Sequence, residues 1–258
     1  MDRQATIAPV TVSNELAVSD LIASVAAGFG DYCRYPLFGL FFSAVYVLSG
    51  LFLTYALYAW GQATWMIPIA AGFPIIAPFT AVGLYEVSRR REAGLPLNWR
   101  VVLGALRGNG DDQLLMMGGI LFVAFSFWMI LAHGIFAIFM AEAGIGHDTL
   151  ALFTTGVGIA MLVVGGVVGA LVALAFYAIT VFSLPMLVDR EVDFLTAIIV
   201  SLAAMRSNGL VLLIWAATIA ALLVMAMLPA FLGLFVALPV LGHATWHLYR
   251  RTVGDAAA

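Results

Sequence analysis

The sequence predicts an all-α, polytopic membrane protein: six transmembrane helices arranged as three repeats of an interfacial helix followed by a hairpin. Three observations lead there. Of the 258 residues, 64% are hydrophobic and 10% charged, whereas a soluble domain averages about 45–50% apolar and about 25% charged. The apolar residues run in blocks long enough to cross the hydrocarbon, which takes about 20 residues of helix. All 11 basic residues are Arg, and they gather in alternate connections. This pattern excludes water-soluble enzyme folds and disordered chains. Without a dense basic cluster it also excludes a nucleic-acid partner.

The chain opens on a polar tail, residues 1–19. Asp2, Glu15 and Asp20 leave no apolar run of signal-peptide length. Amides inside lipid must bond within their own segment, so the apolar runs are helices. They fall at about 37–59, 65–87, 113–141, 150–188, 210–228 and 230–249. Pro229 lacks an amide donor and separates the last two. The fourth run would be about 58 Å long as one helix at about 1.5 Å per residue. One long helix bent near Gly165 and Gly166 fits it, and so do two short spans.

Arginine distinguishes the two. With six spans, Arg3, Arg34, Arg89, Arg90, Arg91, Arg100, Arg107, Arg190, Arg206, Arg250 and Arg251 all share one side. The opposite loops, near Gly61, Gly144 and Pro229, carry none. Seven spans would send Arg190, Arg206, Arg250 and Arg251 across. The positive-inside rule therefore gives six spans with both termini cytoplasmic, and residues 252–258 form a short tail.

Before the first, third and fifth spans lie short stripes at helical spacing. They are Leu21, Ile22, Val25 and Phe29; Trp99, Val102, Leu103 and Leu106; and Phe194, Leu195, Ile198, Ile199, Leu202 and Met205. Asp20, Ser24 and Asp31, or Asp193, Thr196 and Ser201, stand off the stripe. These read as amphipathic helices at headgroup level. Each ends on Arg-x-Pro or Arg-x-Asn, at Arg34, Arg107 and Arg206, where the Arg reaches phosphates or helix carbonyls at the interface. The repeat units run over about 20–88, 96–188 and 192–251, and a polar residue (Glu86, Asp189 or His247) closes each hairpin.

The stretches SLPMLVDREVDFLTAI and FLGLFVALPVLGHATWHLYRR between Phe182 and Arg251, with YPLFGLFFSAVYVLSG near residue 40, resemble an uncharacterised bacterial family of predicted integral membrane proteins. Some of its members are described as similar to cytochrome c oxidase subunit I. The resemblance implies an inner-membrane location and carries over no functional residue. A heme-copper core of that kind uses six histidines, and this chain has four: His133, His147, His243 and His247.

Candidate chemistry is sparse. His243 and His247, spaced i, i+4, share a helix face that suits two metal-bound imidazoles. Beside Trp246 and Tyr249 they also read as an ordinary interface cluster, and two ligands fall short of three or four. His133 lies within the third span, where a polar residue is costly and often functional, yet no opposed histidine at its depth would complete a heme. Glu86 and Asp189 could serve a transporter as ion sites, but beside Arg89 and Arg190 they read as interface ion pairs. Gly165 and Gly169, with Gly158 two turns earlier, mark a helix-packing face. Cys33, a lone cysteine, can form no internal disulfide.

No catalytic pairing stands out and no cofactor is expected. The sequence points to a non-enzymatic accessory or assembly subunit in the bilayer, packed against another membrane protein (a respiratory oxidase by the resemblance) or against itself. The alternatives are a small transporter or channel with a mid-membrane polar site such as His133 or Thr180, and a heme- or metal-binding membrane protein.

Overall fold

A computed structural model describes residues 10–61, 69, 81–105, 112–143 and 151–255. In chain order the described residues build β1 (Val10–Val12), α1 (Val18–Arg34), α2 (Pro36–Ala59), α3 (Val82–Glu92), α4 (Trp99–Gly104), α5 (Gln113–Ala143), α6 (Ala151–Thr154), α7 (Gly156–Thr180), α8 (Ser183–Asp189), α9 (Phe194–Ser207), α10 (Gly209–Met227), α11 (Leu234–Thr252) and β2 (Val253–Asp255).

Four segments are long and apolar enough to cross a membrane: Pro36–Ala59, Gln113–Phe139, Gly156–Asp189 and Gly209–Met227. Of the expected second span, only residue 69 and its end over 81–87 fall among the described residues. α11 stands where the sixth is expected. Its second half, with His243, Thr245, His247, Arg250 and Arg251, keeps it out of the four.

The fourth apolar run is one segment. α7 passes unbroken through Gly165 and Gly166, and the interruptions come instead at Thr155 and at Val181–Phe182. Thr155 caps α7 by accepting the Gly158 amide at 3.1 Å. At the α7–α8 joint, Ser201 of α9 serves the freed backbone groups. Its Oγ accepts the Phe182 amide at 3.2 Å and donates to the Ala178 carbonyl at 2.7 Å. A polar hydroxyl is thus held where a helix break would otherwise strand donors and acceptors in an apolar place.

The described parts of the two tails pair with each other. β1 and β2 pair antiparallel, Val10 opposite Asp255 and Val12 opposite Val253. The Ser13 amide extends the ladder to the Thr252 carbonyl at 2.8 Å. Buried Asn208 fastens the segment that follows: its Nδ2 donates to the Ser13 carbonyl at 2.7 Å, and its Oδ1 accepts the Leu16 amide at 3.2 Å. Both described chain ends therefore meet at one end of the bundle.

The short helices face the other way from a helix lying on water. α1 buries Leu21, Ser24, Gly28 and Asp31 against the rest of the protein and leaves Ile22 and Phe29 outward. α9 buries Ala197, Ser201 and Ala204 and leaves Leu195 and Ile199 outward. Part of each large apolar stripe (Ile22 and Phe29, Leu195 and Ile199) is thus the outer face, while Leu21 and the small and polar residues beside it make the protein contact. Lipid gives large side chains no reason to hide, whereas close approach of backbones rewards small ones. Gly28 is the clearest case: a Cβ there would lie 2.5 Å from the Ala244 amide nitrogen and 2.7 Å from the Val240 carbonyl oxygen. α1 and α11 consequently form the most extensive helix pair in the molecule.

The core gathers at the arginine-rich end. Val82 to Ser88, Val181 to Val188 and Leu241 to Trp246 are buried almost without interruption. The apolar helices elsewhere are much barer, down to 6% of the span window in α7–α8 against 39% in α2.

Candidate functional site

At that end the inner turns of α3, α8 and α11 converge with the end of α1, and polar and charged side chains of all four form a connected cluster, with Glu86 and its arginines a separate group on α3. Its centre is Asp31, fully buried on α1. Its Oδ2 accepts from Ser88 Oγ at 2.6 Å and lies 2.9 Å from His247 Nε2. Arg91 forms an ion pair with Oδ1. Ser88 Oγ also lies 2.7 Å from Nδ1 of His243, itself fully buried. The one Ser88 proton goes to the carboxylate, so His243 carries its proton on Nδ1 and donates to Ser88. The result is a chain from His243 through Ser88 to Asp31.

His247 extends the chain outward. Its second nitrogen, Nδ1, lies 3.2 Å from Glu92 Oε1. An imidazolium donates from both nitrogens and satisfies both carboxylates, which a neutral ring cannot do. Glu92 lies at the exposed end of α3. Burial alone would raise its carboxyl, but the hydrogen bond from His247 and the charges of His247 and Arg250 outweigh this and hold it below the ordinary glutamate range. Arg250 bridges Glu92 at 3.3 Å and Asp189 at 3.1 Å. Asp189 also accepts from the Tyr249 hydroxyl at 2.9 Å, with Arg190 3.6 Å away. Glu86, 4% exposed, takes a bidentate bond from Arg89 at 2.7 and 2.9 Å and a third from Arg90 at 2.6 Å. Arg251 reaches back to Asp20 at 3.2 Å.

The sequence candidates divide accordingly. Asp189, His243 and His247 are brought into this cluster, and Glu86 stands beside it, paired with Arg89 and Arg90 of its own helix. His243 and His247 are engaged by Ser88, Asp31 and Glu92, and among the described residues no group of three or more His, Cys, Asp or Glu is placed to hold a metal ion. His133 is exposed on α5, away from the cluster. Arg34 and Arg206 are exposed in the last turns of α1 and α9, and Arg107 lies outside the described residues. Of the glycines, Gly158 is buried and Gly169 receives the Trp128 ring of α5, whose nearest atom would lie 2.7 Å from a Cβ. Gly165 meets nothing closer than Ile135 at 4.0 Å. The G-x-x-x-G face is thus spent half on an aromatic ring of the same chain.

Asp31, Ser88, Arg91 and Glu92 were not candidates. The available signal was the spacing of Ser24, Gly28 and Asp31, small and polar residues recurring at helical period beside the apolar stripe.

An all-helical chain with several bilayer-length apolar segments, knitted at its arginine-rich end by a buried ionic cluster, is a polytopic integral membrane protein. Residues 65–189 match the model of the family described as predicted integral membrane protein (DUF2189), the kind of family the sequence resembles. The match takes in α3 through α8. It leaves out most of the stretches near residue 40 and beyond Asp189 on which the resemblance rests, and it carries no link to an oxidase. No curated protein and no solved structure matches the chain.

Proposed function

We propose that the protein is a non-enzymatic accessory or assembly subunit of the bacterial inner membrane, packing through α5 and α7 against a larger membrane protein or a second copy of itself. The bareness of α7 carries the reading: 6% of its span window is buried. Apolar burial gives little drive for helices to associate in lipid, so association rests on close packing. Gly134 of α5 and Gly166 of α7 have nothing of this chain within 4 Å of where a Cβ would stand, leaving backbone open to another helix. A respiratory oxidase is the partner the family resemblance suggests.

In this reading the arginine-rich end is cytoplasmic and the chain has six spans in three repeats. Two joints support the repeat: Tyr35 between α1 and α2 has φ −132°, ψ 54°, and Asn208 between α9 and α10 has φ −126°, ψ 31°. The third joint lies outside the described residues. His247 and Asp189, joined through Glu92 and Arg250, support it further.

A channel or transporter for a polar solute fits less well. His133 faces outward, and a cavity between the helices is walled mainly by Ala and Leu. The test places a photo-crosslinking residue at Val163 or Leu171, both exposed on α7, in native membranes. Adducts with a discrete membrane protein or a dimer are expected. Lipid adducts alone would overturn the proposal.

A further inference from the structure

The geometry points to a lipid-binding site: the cavity between α3, α7, α10 and α11 takes one acyl chain, with its ester carbonyl on the Tyr85 hydroxyl. The cavity holds about 390 Å³, within the range of about 300–1,000 Å³ typical of small-molecule sites. Its long walls are narrow side chains, Ala170 and Ala173 on α7 and Ala216, Ala217 and Ala220 on α10. Alanines on facing helices leave a slot where larger residues would close it.

The slot has a polar end and an apolar end. Tyr85, Thr180 and Thr245 line it near the helix ends that carry Glu86, Asp189 and Arg250. Ala170 and Leu223 line it ten residues further along α7 and α10, about 15 Å at about 1.5 Å per residue. No charged side chain is among the described residues that line it, so a charged headgroup has no counter-ion inside, while a chain and a carbonyl fit.

The hydroxyls identify where the carbonyl goes. Thr180 donates to the Phe176 carbonyl at 2.7 Å, Thr245 to Leu241 at 2.8 Å and Tyr177 to Leu212 at 2.9 Å. Each is satisfied by the protein itself. Tyr85 is 3% exposed and lines the cavity, yet among the described residues its hydroxyl has no acceptor. A hydroxyl facing an apolar cavity without an acceptor is costly, and a lipid ester supplies one without bringing charge. The site does not depend on the packing role of α7, because the cavity wall and the exposed α7 face carry different residues.

Delipidated full-length protein in detergent, incubated with phosphatidylethanolamine and examined by native mass spectrometry, tests this. One retained lipid per chain is expected for the wild type and for Val163→Trp on the outer face of α7. Ala217→Trp, and Ala173→Leu as a milder filler, should lose it. Tyr85→Phe should weaken retention about fivefold, the worth of one neutral hydrogen bond. Ether-linked phosphatidylethanolamine, which lacks the ester carbonyls, should bind wild type as weakly as the ester lipid binds Tyr85→Phe. Equal retention by wild type and both filled variants would overturn the site. Equal retention of ester and ether lipids would overturn the Tyr85 contact.

Discussion

His247 Nε2 and Asp31 Oδ2 lie 2.9 Å apart although 216 residues separate them in the chain. That contact, with Ser88 and Arg91 on the same carboxylate, ties the first helix to the last and both to α3. Removing one member of a buried ion pair strands the others and costs about 3–5 kcal/mol. Asp31→Ala should fall near the bottom of that range, since Arg91 is exposed enough to turn to water. Thermal unfolding in detergent reads the loss, and Asp31→Ala combined with Ser88→Ala should cost less than the two singly. An unchanged midpoint would show that the cluster does not hold the fold.

Gly28 and Gly30 sit two residues apart on α1 with opposite surroundings. A methyl at Gly28 meets the α11 backbone, which cannot step aside, so Gly28→Ala should lose about 1–3 kcal/mol. Gly30 has nothing within 4 Å, and Gly30→Ala should gain about 0.5–1 kcal/mol from helix propensity. Unfolding midpoints of the two variants should move in opposite directions.

Asp193 caps α9, accepting the Thr196 amide at 2.9 Å and its hydroxyl at 2.6 Å. These bonds hold its carboxyl below the usual aspartate value. A depressed folded value gives stability that is complete above the unfolded value, about 3.9, and is lost as pH falls through the folded one. Asp193→Ala should therefore cost about 1 kcal/mol at neutral pH, and most of the gap from wild type should close in acid. A gap that widens in acid would contradict the sign.

Cys33, the single cysteine, is exposed beside Arg34 at the arginine-rich end. A membrane-impermeant maleimide should label it in inside-out vesicles and spare it in intact spheroplasts. The reverse pattern would place the ionic cluster outside the cell.

Asn208→Ala removes both bonds to the Ser13–Leu16 segment. Amide exchange in Val10–Val12 and Val253–Asp255 should quicken, while the centre of α10 stays protected. Unaltered exchange in the strands would show that β1 is held by β2 alone.

The membrane class was legible because it rests on composition and block length, which no tertiary contact can alter. Glu86, Asp189 and His247 stood out as well, since charge at the end of an apolar run is conspicuous in a one-dimensional string, and the structure pairs each of them with charged neighbours. Asp31 was not. On α1 it stands opposite the large apolar stripe, a position that in water would be solvent and here is the protein interior. The preference for a single fourth helix could be argued from arginine placement. Its actual joints, at Thr155 and at Val181–Phe182, follow from side-chain caps, one of which comes from Ser201 on another helix.

By itself the sequence determined that these helices belong in a bilayer and that the arginines gather in alternate connections, because hydropathy and charge are properties of residues taken one at a time. Only the tertiary structure decided that α1 turns its small face inward, that His247 meets Asp31 and that the chain ends pair. Those outcomes depend on which backbones approach closely enough to exclude lipid, and that distance is set jointly by residues such as Gly28 and Ala244 that lie far apart in the chain.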